Sequence, residues 1–218
     1  MRPSPLQNRV QPDGAIVATA QRGLYYGNRG GKIHDPTSKT LHPTRRWASR
    51  QWICCVLQFK QRRRPLMGPG YTELFFMDEV TALAAGHRPC FECRRADALR
   101  FAHAWRADGS RETAPEMDRI LQQQRVAGRQ KRTEARNWHS LPAGAMILWH
   151  DRFIAKHPSG PLQWSFDGYD EVENLQELMQ QPALECLTPG AILTTLANGY
   201  EPDWHPSASN GQNNHAQI

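Results

Sequence analysis

No stretch of this chain approaches the ~18 consecutive apolar residues needed to span a bilayer. Its opening MRPSPLQNRVQPDG also lacks the apolar run of a secretory leader. The expectation is a protein without membrane contact, resident in the cytoplasm. Cysteine is scarce: there are five, an odd number, and Cys54 and Cys55 are adjacent, which argues against a disulfide framework and suits a reducing compartment. No segment repeats. The one glycine-rich basic stretch, GNRGGKIHD, lacks the strand, loop and helix order of a phosphate-binding loop and reads as a flexible turn. Positive charge is nearly missing from the rear. Residues 137–218 hold 2 Lys+Arg against 9 Asp+Glu, whereas residues 1–136 hold 25 against 12. A basic front of that size faces a polyanion more readily than a neutral one does, so nucleic acid, DNA before RNA, is the expected partner.

What is present over 218 residues is long enough to bury a core without covalent staples. Residues 1–45, rich in Gly, Pro, Asn, Arg and His, read as a loop-rich basic arm in which AIVATA alone resembles a strand. RQWICCVLQFK has the β-branched and aromatic content of a buried strand. TELFFMDEVTALAAG predicts a short strand turning into a helix, with Asp78 as its cap and Gly86 at its end. Helical spacing recurs in RRADALRFAHAWRADG and APEMDRILQQQRVAG, and the basic RQKRTEARN after them reads as a linker. From Ser140 the pattern shifts to short strands, AMILWH, RFIAK and PLQWSF, with turns at His150-Asp151 and Asp167-Gly168. A helix after Thr188 stops at Gly199. The expected class is α+β: a metal-binding module with following helices over 46–136, a β-rich acidic module over 137–206, and a disordered tail over 207–218.

The sharpest chemistry lies in AAGHRPCFECRR, where Cys90 and Cys93 stand two residues apart behind a turn. That spacing aims two thiolates at one point, and Arg88, Arg94 and Arg95 favour the thiolate form. A metal site, reduced structural cysteines and a redox dithiol all use it. The metal reading is preferred because no thioredoxin-like unit precedes the pair. Further ligands are sought among Cys54, Cys55 and His87, with His34, His42 and His103 behind them. In a strand Cys54 and Cys55 point to opposite faces, so one of them at most joins the site without a bulge. Cys55 shares its face with Ile53, Leu57 and Phe59, which favours a core role for it, and Cys54 with Trp52, Val56 and Gln58; the sequence does not choose the ligand between them. Cys186 reads as a buried strand residue. Arginine and lysine are densest at Arg45, Arg46, Arg50, Lys60, Arg62, Arg63 and Arg64, which with Arg94 and Arg95 form the expected phosphate-contacting set. No catalytic residue is assigned.

ELFFMDEVTALAAGHRPCFECRR, residues 73–95, resembles the N-terminal metal-binding module of the Ada DNA-repair methyltransferases. The shared features are paired aromatics (Phe75, Phe76) on a strand, an Ala-rich helix, and Gly-His-Arg-Pro-Cys-x-x-Cys, where the family typically has an aromatic in place of His87. The resemblance implies that Cys90 and Cys93 are half of a zinc site. In the family an earlier Cys-x-x-x-Cys supplies the other half and accepts a methyl group from a DNA phosphotriester. This chain has adjacent Cys54 and Cys55 instead. The expected function is therefore a zinc-containing nucleic-acid-binding protein. A metal-dependent nuclease using histidines of the arm, such as His34 and His42, and a methylphosphotriester methyl acceptor stand as alternatives.

Overall fold

The computed structural model describes residues 4–62 and 65–210. Arg63, Arg64 and residues 211–218 of the expected tail lie outside the described residues. The chain opens with β1 (Gln7–Val10), β2 (Ile16–Ala18) and β3 (Tyr25–Arg29), passes a small hairpin of β4 (His34–Asp35) and β5 (Thr40–Leu41), and returns through β6 (Trp52–Val56) and β7 (Leu74–Phe76). Helix α1 (Glu79–Ala84) and the short β8 (Arg88–Pro89) lead to α2 (Arg95–Ala104) and α3 (Ala114–Arg125). A hairpin of β9 (Val126–Ala127) and β10 (Gln130–Lys131) follows. The rest comprises β11 (Glu134–Arg136), β12 (Met146–Trp149), β13 (Arg152–His157), β14 (Gly160–Ser165), β15 (Gly168–Glu171), α4 (Leu175–Gln180), β16 (Leu184–Cys186), α5 (Gly190–Ala197) and α6 (Ser207–Asn210). The class is α+β, as expected.

Two six-stranded sheets organise these elements. The first runs β2-β1-β7-β3-β6-β8, with parallel pairs at β1/β7 and β6/β8. The second runs β11-β16-β12-β13-β14-β15 and is antiparallel throughout. Its β12–β13 turn is His150-Asp151, both at positive φ (48° and 59°), the backbone a two-residue hairpin needs to match strand twist. The region read as a loop-rich arm thus supplies three strands of the first sheet. Its polar residues do not loop out: Asn8, Arg9, Asn28 and Arg29 are buried. Gly27 allows β3 to close on β6, since a Cβ there would lie 1.9 Å from the Ile53 carbonyl oxygen. The stretch read as a linker supplies β10 and β11, Val126–Ala127 at the end of the preceding expected helix forms β9 instead, and the start of the expected tail is α6.

Helix α1 is the hub. Every residue in it is buried, which fits a short helix with apolar groups on all sides. Val80 and Ala84, with Met77, pack on Met146, Leu162, Trp164 and Tyr169 of the second sheet. Ala82 and Ala85 meet Val10, Cys54, Leu74 and Phe76 of the first. Leu83 lies among Phe101, Met117, Leu121 and Ile192 of the helices.

Two buried carboxylates fix its first turn. Asp78 caps the helix by accepting from Thr81 N at 2.8 Å, and also accepts from Tyr169 Oη and His205 N. Glu79 receives both terminal nitrogens of Arg94 at 2.8 Å, together with Tyr200 Oη and Asp203 N. These bonds offset the desolvation of two acids in the middle of the molecule.

Candidate metal centre

Strand β6 sends Trp52, Cys54 and Val56 to the face that α1 covers, and Ile53, Cys55 and Leu57 to the other. Strand β8 lies parallel to β6 with Cys54 opposite Pro89, and Cys90 N donates to Cys54 O at 2.9 Å. Cys90 therefore falls beside Cys55. Pro89 is tolerated because β8 is the sheet edge, where a missing N–H breaks no ladder. The chain then makes one turn, closed by Arg94 N to Cys90 O at 2.9 Å, and Cys93 comes round to the same point just before α2. Gly86 (φ +88°) makes the exit from α1 possible; a Cβ there would meet the Arg125 side chain at 2.8 Å.

The result is a group of three, Cys55, Cys90 and Cys93, whose Sγ atoms all lie within 4.8 Å of one another. A tetrahedral zinc with Zn–S bonds of ~2.3 Å sets its sulfurs about 3.8 Å apart, so an inward shift of about 1 Å or less would seat the ion. The thiols already interact. Hydrogen bonds from Cys55 and then Cys93 hold Cys90 far below the usual thiol range, while the same contacts push Cys55 up. The three sulfurs therefore share protons as one coupled group, and metal binding would displace them. Cys55 and Cys90 are buried and Cys93 is half-buried.

The trio lies in the wall of a cleft of about 880 Å³. Tyr26, Phe59, Tyr71, Phe75 and Phe91 give it an aromatic lining. Much of its charge is neutralised internally: Arg62 pairs with exposed Glu92 at 2.6 Å, and buried Arg88 forks onto Asp118 at 2.9 and 2.7 Å.

The other expected ligands are not brought to this point. Cys54 faces α1, its sulfur 3.6 Å from Arg94 Nη1, and burial raises its pKa. His87 is fully buried on that same side, against Trp52 (5.1 Å between centroids) and Phe76 (4.7 Å). Neither of its ring nitrogens has a hydrogen-bond partner. The nuclease arrangement loses a member as well, because His34 has both nitrogens engaged, by Thr72 Oγ1 at 2.5 Å and Gly68 O at 2.9 Å. His42 is half-buried and His103 is exposed with Nδ1 3.3 Å from Gly109 O; neither belongs to the cysteine group. Cys186 is buried in the second sheet, where the sequence places it.

Among the expected phosphate contacts, Arg45, Arg46, Arg50, Lys60 and Arg95 are exposed and Arg62 is exposed but paired. Arg94 is not at the surface. It is 4 % exposed and surrounded by Glu79, Asp97 and Asp203, so it is a structural cation with no free donor face for phosphate. The aromatic cleft has no local signature in the sequence, since its aromatic residues come from four separate segments. Against known proteins, the chain matches no family model, no curated protein and no solved structure.

Proposed function

We propose that the protein is a zinc-binding, nucleic-acid-binding protein in which Cys55, Cys90 and Cys93 hold the metal and exposed arginines meet the phosphates. The observation that carries this reading is the convergence of three sulfurs within 4.8 Å at a cleft wall. Cys55, Cys90 and Cys93 would hold the zinc, which would keep their sulfurs as thiolates. Three thiolates outweigh the ion's charge, which disfavours hydrolytic chemistry on a phosphodiester and favours a role in holding β6, β8 and the start of α2 together. The Ada-like resemblance agrees with two of the three ligands. A Cys-x-x-x-Cys ending at Cys55 would begin at residue 51, which is Gln51, so the chain lacks a thiol there and binding is favoured over methyl acceptance. DNA is the expected partner because Arg45, Arg46, Arg50, Lys60 and Arg95 leave their charges exposed and outside the ion pairs of the described residues.

Elemental analysis of protein purified without chelator tests the metal, with about one zinc per chain expected from a single site. Cys55→Ser, Cys90→Ser and Cys93→Ser each lower that ratio and Cys54→Ser does not; equal loss in all four, or no metal in the parent, defeats the assignment. For DNA, neutralising Arg45, Arg46 and Arg50 together weakens binding to unrelated duplexes alike and reduces the salt slope by about 0.9 per lost contact. Absence of binding at low ionic strength removes the nucleic-acid part. Methylphosphotriester DNA leaves the protein mass unchanged; a gain of one methyl group on any of the three cysteines would make the acceptor reading correct.

A further inference from the structure

A second cleft, of about 440 Å³, opens on the Trp52 side of the first sheet, behind the face that carries Cys55. Five cations line it, Arg29, Arg46, Arg125, Arg129 and Lys131, against one acid, Asp13. Arg29 and Arg125 are 3 % and 1 % exposed, and their guanidinium carbons lie over the Trp52 ring at 4.2 and 4.0 Å. Among the described residues none of the five cations takes part in an ion pair. Arg125 donates only to Gly86 O, Arg50 O and Gln122 Oε1, Lys131 to Ala84 O, and Arg29 to Gly14 O. The Nε of Arg29 is buried with no partner at all. Asp118, the acid nearest in effect to Arg125, is already claimed by Arg88.

Buried charges are normally paired, and a fold that gathers buried Arg29 and Arg125 with half-buried Lys131 beside an orphaned N–H donor is arranged for an anion that arrives from outside. Burial is the main cause that pushes Arg29 down to about 9, Arg125 to about 8 and Lys131 to about 7, with neighbouring cations adding to it. Guanidinium forks suit the several oxygens of a phosphate better than a single carboxylate suits three cations. Half-buried Trp47 stands 6.0 Å from Trp52 and lines the same cleft, offering a ring on which a base can stack.

We propose that this cleft binds the phosphate group of a nucleotide, either free or at the end of a strand, with Arg29, Arg125 and Lys131 receiving the phosphate, Arg46 and Arg129 at the rim, and Trp47 against the base. Trp52 and Cys55 point to opposite faces of β6, so the site is separate from the cysteine cleft and stands or falls without it.

The test is calorimetric titration of the zinc-loaded full chain, freed of phosphate and at low salt, with ATP, AMP, adenosine, inorganic phosphate, and one oligonucleotide with and without a 5′-phosphate. Saturable one-site binding of the phosphorylated compounds, and none of adenosine, is expected. Preference for the 5′-phosphorylated strand identifies a strand end as the source; equal behaviour of the two strands with binding of ATP or AMP identifies the free nucleotide. Arg46→Gln with Arg129→Gln, both exposed and without a packing role, weakens binding by about tenfold per lost charged contact, and Arg29→Gln weakens it further while zinc content is unchanged. No saturable binding by the parent, or binding that neither the rim variant nor removal of the phosphate alters, overturns the proposal.

Discussion

His87 predicts an acid sensitivity that a single substitution should remove. The ring is fully buried, packs on Trp52 and Phe76, and offers no hydrogen bond from either nitrogen. Burial, with Arg29 and Arg125 nearby, therefore holds its pKa well below 6.5. The folded protein keeps the imidazole neutral, while the unfolded chain takes up a proton as the pH falls through about 6.5. More protons bind to the unfolded state in that window, so stability falls on acidification. Each pH unit below about 6.5 then costs on the order of 1 kcal/mol of stability.

His87→Phe preserves an aromatic between Trp52 and Phe76 and removes the titration. Its packing offset does not depend on pH and cancels in the comparison. Urea unfolding of both proteins, metal-saturated and again in chelator, should give free-energy profiles that diverge below pH 6.5 at that slope, in both metal states. Parallel profiles between pH 7.5 and 5 would refute the claim that the buried ring stays neutral.

The hub of the fold supplies further tests. Glu79→Gln leaves Arg94 buried at a site built for two charged bonds, and should destabilise by about 3 kcal/mol or more in urea unfolding; a change below 1 kcal/mol would mean that Asp97 and Asp203 suffice. Asp78→Ala removes the α1 cap and strands Tyr169 Oη and His205 N, again about 3 kcal/mol when cap and orphaned donors are combined, with a lowered midpoint as the readout. Metal removal by a chelator should lower the unfolding midpoint of the parent and leave Cys90→Ser unaffected, because site formation is coupled to folding. Acid should release the zinc as protons compete for the three sulfurs, followed by a chromogenic zinc indicator.

Much of this molecule was legible in its sequence, for reasons that are local. The strand, cap and helix around Asp78, the β12–β14 meander and the Cys90-x-x-Cys93 turn each depend on residues a few positions apart. What stayed hidden depends on distant partners. Alternation places Cys54 and Cys55 on opposite faces, but which face meets the core is decided by α1, and both faces of β6 are apolar enough for either choice. Arg94 reads as a surface charge beside Arg95 until Glu79, fifteen residues earlier, and Asp203, over a hundred later, close round it. The strands of the N-terminal region were obscured by buried polar residues such as Asn8 and Arg29, which a short sequence window assigns to a solvated loop. The parallel pairing of β1 with β7 joins residues 9 and 75, beyond any short-range pattern.

The position of α1 also sets an order of events at the ribosome. The backbone amides that complete its first turn belong to Asp203 and His205, so Asp78 and Glu79 leave the tunnel long before their last partners exist. At about 5–20 residues per second, that interval is roughly 6–25 s. Over that interval its covers arrive piecemeal: Phe101, Met117 and Leu121 become available to Leu83 first, Met146, Leu162, Trp164 and Tyr169 to Val80 and Ala84 later, and Ile192 near the end. A nascent chain interrupted before residue 200 would carry Asp78 and Glu79 in the middle of the molecule without their last donors, and quality control would meet it as a single unfinished object.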